Sequence, residues 1–105
     1  MATRDPRITG PTLKVLRLLL TGGTAATSGA DISKATGVGA GTLYPMLSRL
    51  EAAGWLNSRW EEIDPKEAGR PRKRFYELTG LGRTRARAEL TELQLAPTEG
   101  AAAWN

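Results

Sequence analysis

The sequence predicts one mainly helical domain closed by a β-hairpin, and three observations carry that expectation. Apolar residues recur at helical spacing through the first half of the chain. After Gly54 the repeat shortens to two residues, and aromatics appear in both of the runs that follow. The chain has 105 residues, enough for one domain of about 100–150 residues and too few for two.

Residues 1–8 are expected to be a flexible arm. Thr9 is placed to cap a first helix, and Pro11 sits where a missing N–H is tolerated. Leu13, Leu16 and Leu20, with Val15 and Leu19 beside them, form an apolar stripe, while Lys14 and Arg17 take the wet side. The run "TGGTAATSG" ends this helix with glycines and small polar residues. Ser28 and Asp31 have capping-box spacing and open a short second helix, with Ala30, Ile32 and Ala35 expected inward. Gly37 closes it, because glycine accepts the left-handed conformation common just past a helix end, and Val38 plugs the turn.

The stretch "GAGTLYPMLSRLEAAGWL" supplies a third helix, ended by Gly54. Two strands follow, "WLNSRWEE" and "RKRFYELT", with Leu56, Ser58 and Trp60 on one side of the first and Tyr76 and Leu78 on one side of the second. Trp55 and Trp60 are read as core or wing packing. Between the strands, Asp64-Pro65 and Gly69 carry turn chemistry. Thr79 caps a last helix of roughly residues 81–95, with Ala86, Leu90 and Leu93 at helical spacing. The expected divisions are an arm over 1–8, a unit of three helices and a hairpin over 9–79, a C-terminal helix over 80–96 and a flexible tail over 97–105.

Composition narrows the function. Fifteen Lys and Arg against eleven Asp and Glu give a net charge of +4, which favours a polyanionic partner. Cysteine and histidine are absent, which excludes disulfides, a thiol nucleophile, an imidazole base and zinc sites of the usual kind. The acids are scattered, with Glu61 and Glu62 the only adjacent pair, so no nucleophile and base come together and an enzyme is not expected. Neither a cofactor nor a metal site is expected. No apolar run approaches the ~18 residues of a membrane span, and "MATRDPRI" lacks the core of a secretion signal, so a cytoplasmic protein is expected.

Order and charge then point to an interface. Three helices followed by a hairpin is the order of a winged helix-turn-helix. At 100° per residue, Leu43, Met46, Leu47 and Leu50 of the third helix share one face. Gly41, Thr42, Pro45, Ser48, Arg49 and Ala52 lie on or near the other, with Tyr44 on a flank. A helix edge this slim suits a DNA major groove about 12 Å wide. Its glycines let the backbone approach phosphates, Thr42, Tyr44 and Ser48 offer hydroxyls, and Arg49 pairs with phosphate or guanine. In "GRPRKRFY", Arg70, Arg72, Lys73 and Arg74 arm the returning strand of the wing, beside the acids Glu61, Glu62, Asp64 and Glu67 that could neutralise some of them.

At these two segments, "GTLYPMLSRLEAAGWL" and "GRPRKRFYELTGLGR", the chain resembles the PadR family. The likeness spans residues 8 to 95. It implies a bacterial transcription regulator, usually a repressor, that binds double-stranded DNA as a homodimer. In that family the first and last helices build the dimer contact, which here would fall on Leu13, Leu16, Leu20, Leu90 and Leu93. Some members take a small apolar or aromatic effector at that contact. A reading from another class is a winged-helix protein-interaction module that docks an acidic partner through the basic wing.

Overall fold

The computed structural model describes residues 6–23 and 25–95, with side chains through residue 92. The elements run α1 (Gly10–Thr21), β1 (Thr27–Ser28), α2 (Gly29–Thr36), α3 (Ala40–Ala52), β2 (Leu56–Trp60), α4 (Pro65–Ala68), β3 (Arg74–Leu78) and α5 (Gly80–Leu95). This is a winged helix, in which α2 and α3 form the helix-turn-helix and β2, α4 and β3 form the wing.

The helix ends follow local chemistry. Thr9 caps α1 by accepting from the Thr12 amide, and Ser28 caps α2 by accepting from the Asp31 amide at 3.1 Å. Gly37 ends α2 in the left-handed region at φ 77°, which a side chain would resist. At the start of α5, the Thr79 hydroxyl accepts from the Gly82 amide at 2.9 Å and donates to the Gly54 carbonyl at 2.6 Å. The Thr79 amide also donates to the Trp55 carbonyl. The end of the α3 turn and the start of α5 are thereby stitched together.

Val15, Leu16 and Leu19 of α1, Ile32 of α2, and Leu43, Met46, Leu47 and Leu50 of α3 meet in one core with Val38, Trp55, Leu56, Tyr76, Leu78 and Ala86. Burial of this apolar surface is the main drive to fold. In α2 only Ile32 among the three expected residues is buried. Ala30 and Ala35 are exposed, because eight residues make little more than two turns and offer the core a single row. Ile8 packs against the core, so the part of the expected arm at residue 8 belongs to the folded body, and residues 1–5 lie outside the described region.

The expected hairpin is present, and a third strand joins it. Three antiparallel strands run in the order β1-β3-β2, with Thr27 opposite Tyr76 and Ser28 opposite Phe75 on one side of β3. On the other side Leu56 faces Leu78, Ser58 faces Tyr76 and Trp60 faces Arg74. Thr27 and Ser28 fall in a stretch read from sequence as loop. Two residues cannot display an alternation, and β3 recruits them to cover its otherwise open edge. The wing tip is also tighter than a plain loop. Asp64 caps the single turn of α4, and Gly69 closes it at φ 69°.

The expected dimer residues separate on burial. Leu16 is fully buried in the protomer's own core, so it has no surface left for a second copy. Leu13, Leu20 and Leu90 are half-buried, and the Leu93 side chain lies outside the described residues, as does the expected tail. Among the described residues, no helix is long and apolar enough to cross a membrane.

Candidate nucleic-acid interface

The outer edge of α3 is bare. Leu43, Met46, Leu47 and Leu50 are buried, whereas Gly41, Thr42, Tyr44, Pro45, Ser48, Arg49 and Ala52 are all exposed. The helix opens at Gly39, whose carbonyl accepts from the Thr42 and Leu43 amides, without a side-chain cap. Pro45 sits in the second turn, where its ring removes one bond, the one to the Gly41 carbonyl on this exposed edge. A methyl group added at Gly39 or Gly41 would meet nothing within 4 Å, so the mouth of the helix is open to a backbone approaching from outside.

Tyr44 is 41% exposed, yet its ring has a fixed seat. A Cβ at Gly29 would lie 2.7 Å from the Tyr44 hydroxyl oxygen and from a ring carbon, so only glycine lets the phenol lie across the first turn of α2. Tyr44, expected on a flank of α3, rests there on α2 and faces the wing across a groove.

The wing is held in shape by one acid. The Glu61 carboxylate accepts from both Arg70 guanidinium nitrogens, at 2.7 and 3.0 Å, and from the Lys73 amide at 3.2 Å. The Glu61 amide donates to the Lys73 carbonyl in return. The Arg70 hydrogen bond, with the Lys73 amide and the two nearby cations, holds this carboxyl down at about 2 against burial, which opposes it. Arg70, expected among the DNA contacts, is thus engaged as a brace by one of the acids expected to neutralise part of the wing. Arg72 Nε donates to the Ile63 carbonyl at 3.0 Å, and the residue is exposed. Lys73 is exposed.

Arg74 is set by a relay that no spacing rule suggested. Its guanidinium donates to Ser58 Oγ at 2.7 Å, and Ser58 donates to the Glu51 carboxylate of α3 at 2.6 Å. The same guanidinium lies 4.9 Å from the centre of the Trp60 ring. On the other face of the wing, Arg59 lies over Phe75 at 5.5 Å. Tyr76 is buried beneath, and burial pushes its phenol up while the Arg74 charge opposes that shift. Of the two expected positions, core or wing, Trp60 takes the wing, beside Arg74. It is 56% exposed, because β2 outruns the core that buries Leu56 four residues earlier.

These placements bring Tyr44, Arg70, Arg72, Lys73 and Arg74 to one groove of about 380 Å³, floored by Ser28, Gly29 and Ala30 and walled by Trp60 and Pro71. Gly41, Thr42, Ser48 and Arg49 are not in that groove and occupy the adjoining open edge of α3. Sequence reasoning missed Trp60, Ser58, Glu51 and the α2 mouth. Period-two alternation placed Ser58 and Trp60 together on one side, but gave no sign that this side would leave the core. Among the described residues, no group of acids is arranged to hold a metal ion.

Comparison with known proteins places this geometry in context. A family model described as the transcriptional regulator PadR-like family matches residues 27–88. Among solved structures, the smu.1704 protein of Streptococcus mutans UA159 is 27% identical at a TM-score of 0.63, over 87% of this chain and 83% of that one. A PadR-like transcription factor of Bacteroides fragilis is 28% identical at a TM-score of 0.61, over 78% of this chain and 81% of that one. Reduced AbfR bound to DNA, from a protein of Staphylococcus epidermidis, is 26% identical at a TM-score of 0.63, over 81% of this chain and 56% of that one. In its disulfide form AbfR is matched over 91% of this chain, which spans 61% of that chain's length. A comparison with curated proteins gave no match.

Proposed function

The chain belongs to the PadR-like family of transcriptional regulators, which are not enzymes, and from that premise we propose that it is a DNA-binding repressor acting as a homodimer on a palindromic operator. Helix α3 enters the major groove by its bare edge, with Thr42, Ser48 and Arg49 toward base edges and phosphates. The wing follows the adjacent backbone through Arg72, Lys73 and Arg74. Half-sites lie about one helical turn apart, the spacing that two-fold symmetry imposes on paired recognition helices. The observation that carries this reading is that Tyr44 of α3 and the wing cations line a single groove, so both elements address the same side of the molecule. AbfR, a structural relative, has been solved bound to DNA, which supports the same mode here.

The test is a duplex titration by fluorescence anisotropy across salt concentrations. Arg72→Ala and Lys73→Ala should weaken binding to every duplex and lower the log–log salt slope by about 0.9 per lost phosphate contact. An unchanged slope would remove the wing from the interface. Replacing Ser48 or Arg49 should instead change which sequences a randomised-site selection recovers. Identical recovered sites would take those two residues out of base readout.

A further inference from the structure

The charged side chains that line the groove between α3 and the wing are all cations, Arg70, Arg72, Lys73 and Arg74, yet its wing wall includes a tryptophan. Holding phosphate needs no tryptophan, and Trp60 is 56% exposed, although burial would stabilise so large an apolar side chain. An exposed tryptophan ordinarily keeps its rotamer freedom and loses it on binding. Trp60 has less to lose. Arg74 lies 4.9 Å from its ring centre and is itself fixed through Ser58 to Glu51. Pro65 and Pro71 stand beside the ring and extend it into an apolar strip along the wing. Tyr44 lines the groove from α3, seated on Gly29, with a hydroxyl to offer.

Cations and a bare ring match the two components of a nucleic-acid backbone. On the DNA-binding reading, α3 lies in the major groove and the wing lies beyond it. What separates them is then one sugar–phosphate strand, and this groove of about 380 Å³ is where it passes. The phosphates meet Arg72, Lys73 and Arg74, because Arg70 is already held by Glu61. Between successive phosphates lies a sugar, and in DNA its C2′ carbon carries only hydrogens. The uncovered part of the Trp60 ring fits that carbon. A ribose would bring a hydroxyl, both donor and acceptor, against a surface that offers it no ordinary hydrogen bond. We propose that Trp60 reads the sugar of one DNA strand and is a residue by which the protein selects deoxyribose over ribose. The proposal rests on the DNA-binding reading and adds to it a contact made to neither base nor phosphate.

The test uses the full chain and a duplex recovered by randomised-site selection, remade with a single ribonucleotide at each position of each strand in turn. By fluorescence anisotropy, the wild type should lose about tenfold in affinity at one sugar per half-site, the scale of a hydroxyl buried unpaired, and little elsewhere. Trp60→Ala should bind the all-DNA duplex about fivefold more weakly, the scale of part of a large apolar side chain withdrawn from water. It should show no ribose penalty at that sugar, and it should keep the wild-type salt slope, because no charge is removed. Arg59→Ala, on the other face of the wing, should keep the penalty in full. Trp60 lies mostly outside the core, so its variant should fold, and the wild-type scan needs no variant at all. A wild type indifferent to every single ribonucleotide overturns the proposal, as does a penalty that Trp60→Ala retains. A salt slope that falls in Trp60→Ala also overturns it, since Trp60 would then act only by holding Arg74 in place. In each of those cases tight binding of the all-DNA duplex leaves the DNA-binding reading standing, whereas a wild type that recovers no duplex removes both.

Discussion

Glu61 shows how a single residue can set the state of a functional element. Its carboxylate joins Arg70 to the Lys73 amide across the wing neck, and those partners hold it near 2 rather than 4.5. A carboxyl depressed on folding contributes to stability above its ordinary value and loses that contribution as pH falls toward its folded value. The wing neck should therefore stay closed at neutral pH and open between about 4.5 and about 2. The Lys73 amide resonance followed by NMR should move through that window in the wild type and stay still across it in Glu61→Gln. Gly82 makes a separate prediction. A Cβ there would strike the Trp55 carbonyl oxygen and sit 3.1 Å from a Leu78 methyl, where α5 crosses the start of β2. Gly82→Ala should lower unfolding free energy by about 1–3 kcal/mol in urea titration, the scale of an overpacked contact. Gly80→Ala, two residues earlier in open space, should leave it unchanged or slightly raised.

At the scale of elements, α3 and the wing behave as one unit because Glu51, Ser58 and Arg74 link them. Ser58→Ala cuts the link without removing a cation. Duplex affinity should fall while the salt slope stays at its wild-type value, and a slope that drops as well would mean the relay carries phosphate contacts of its own. The helices themselves were legible. Four apolar residues at helical spacing in α3 predicted four buried side chains, and all four are buried. The exposed edge opposite them followed by subtraction. The relay was not legible, because its partners stand 7 and 16 residues apart and meet only once β2 has paired with β3. The same holds for Trp60, whose alternation with Leu56 left core and wing packing both open, and which lies past the end of the core beside Arg74. The sequence showed acids beside the four wing cations but not which one they hold; the fold brings Glu61 within 2.7 Å of Arg70.

For the whole molecule, α1 and α5 pack side by side, with Ala86 buried between them and Leu13, Leu20 and Leu90 only half-covered. A helix with so few large apolar residues is marginal alone, and its remaining apolar edge is suited to a second copy. Sedimentation equilibrium should report a dimer for the wild type and a monomer for Leu90→Glu, with the far-UV spectrum unchanged. A variant that sediments as the wild type does would move the dimer contact away from this edge. Operator affinity should fall in step with the loss of the dimer, because each half-site alone gains only one recognition helix.

The order of the four main helices and the hairpin, the core face of α3 and the identity of its slim edge were decided by local periodicity and capping, which act within a turn or two of chain and so are written in sequence. Which cations remain available, where Tyr44 and Trp60 rest, and that β1 completes the sheet were decided by tertiary structure. Those outcomes depend on which distant residues arrive within hydrogen-bond or van der Waals reach. That distance is set by the packing of whole elements, and no local pattern encodes it.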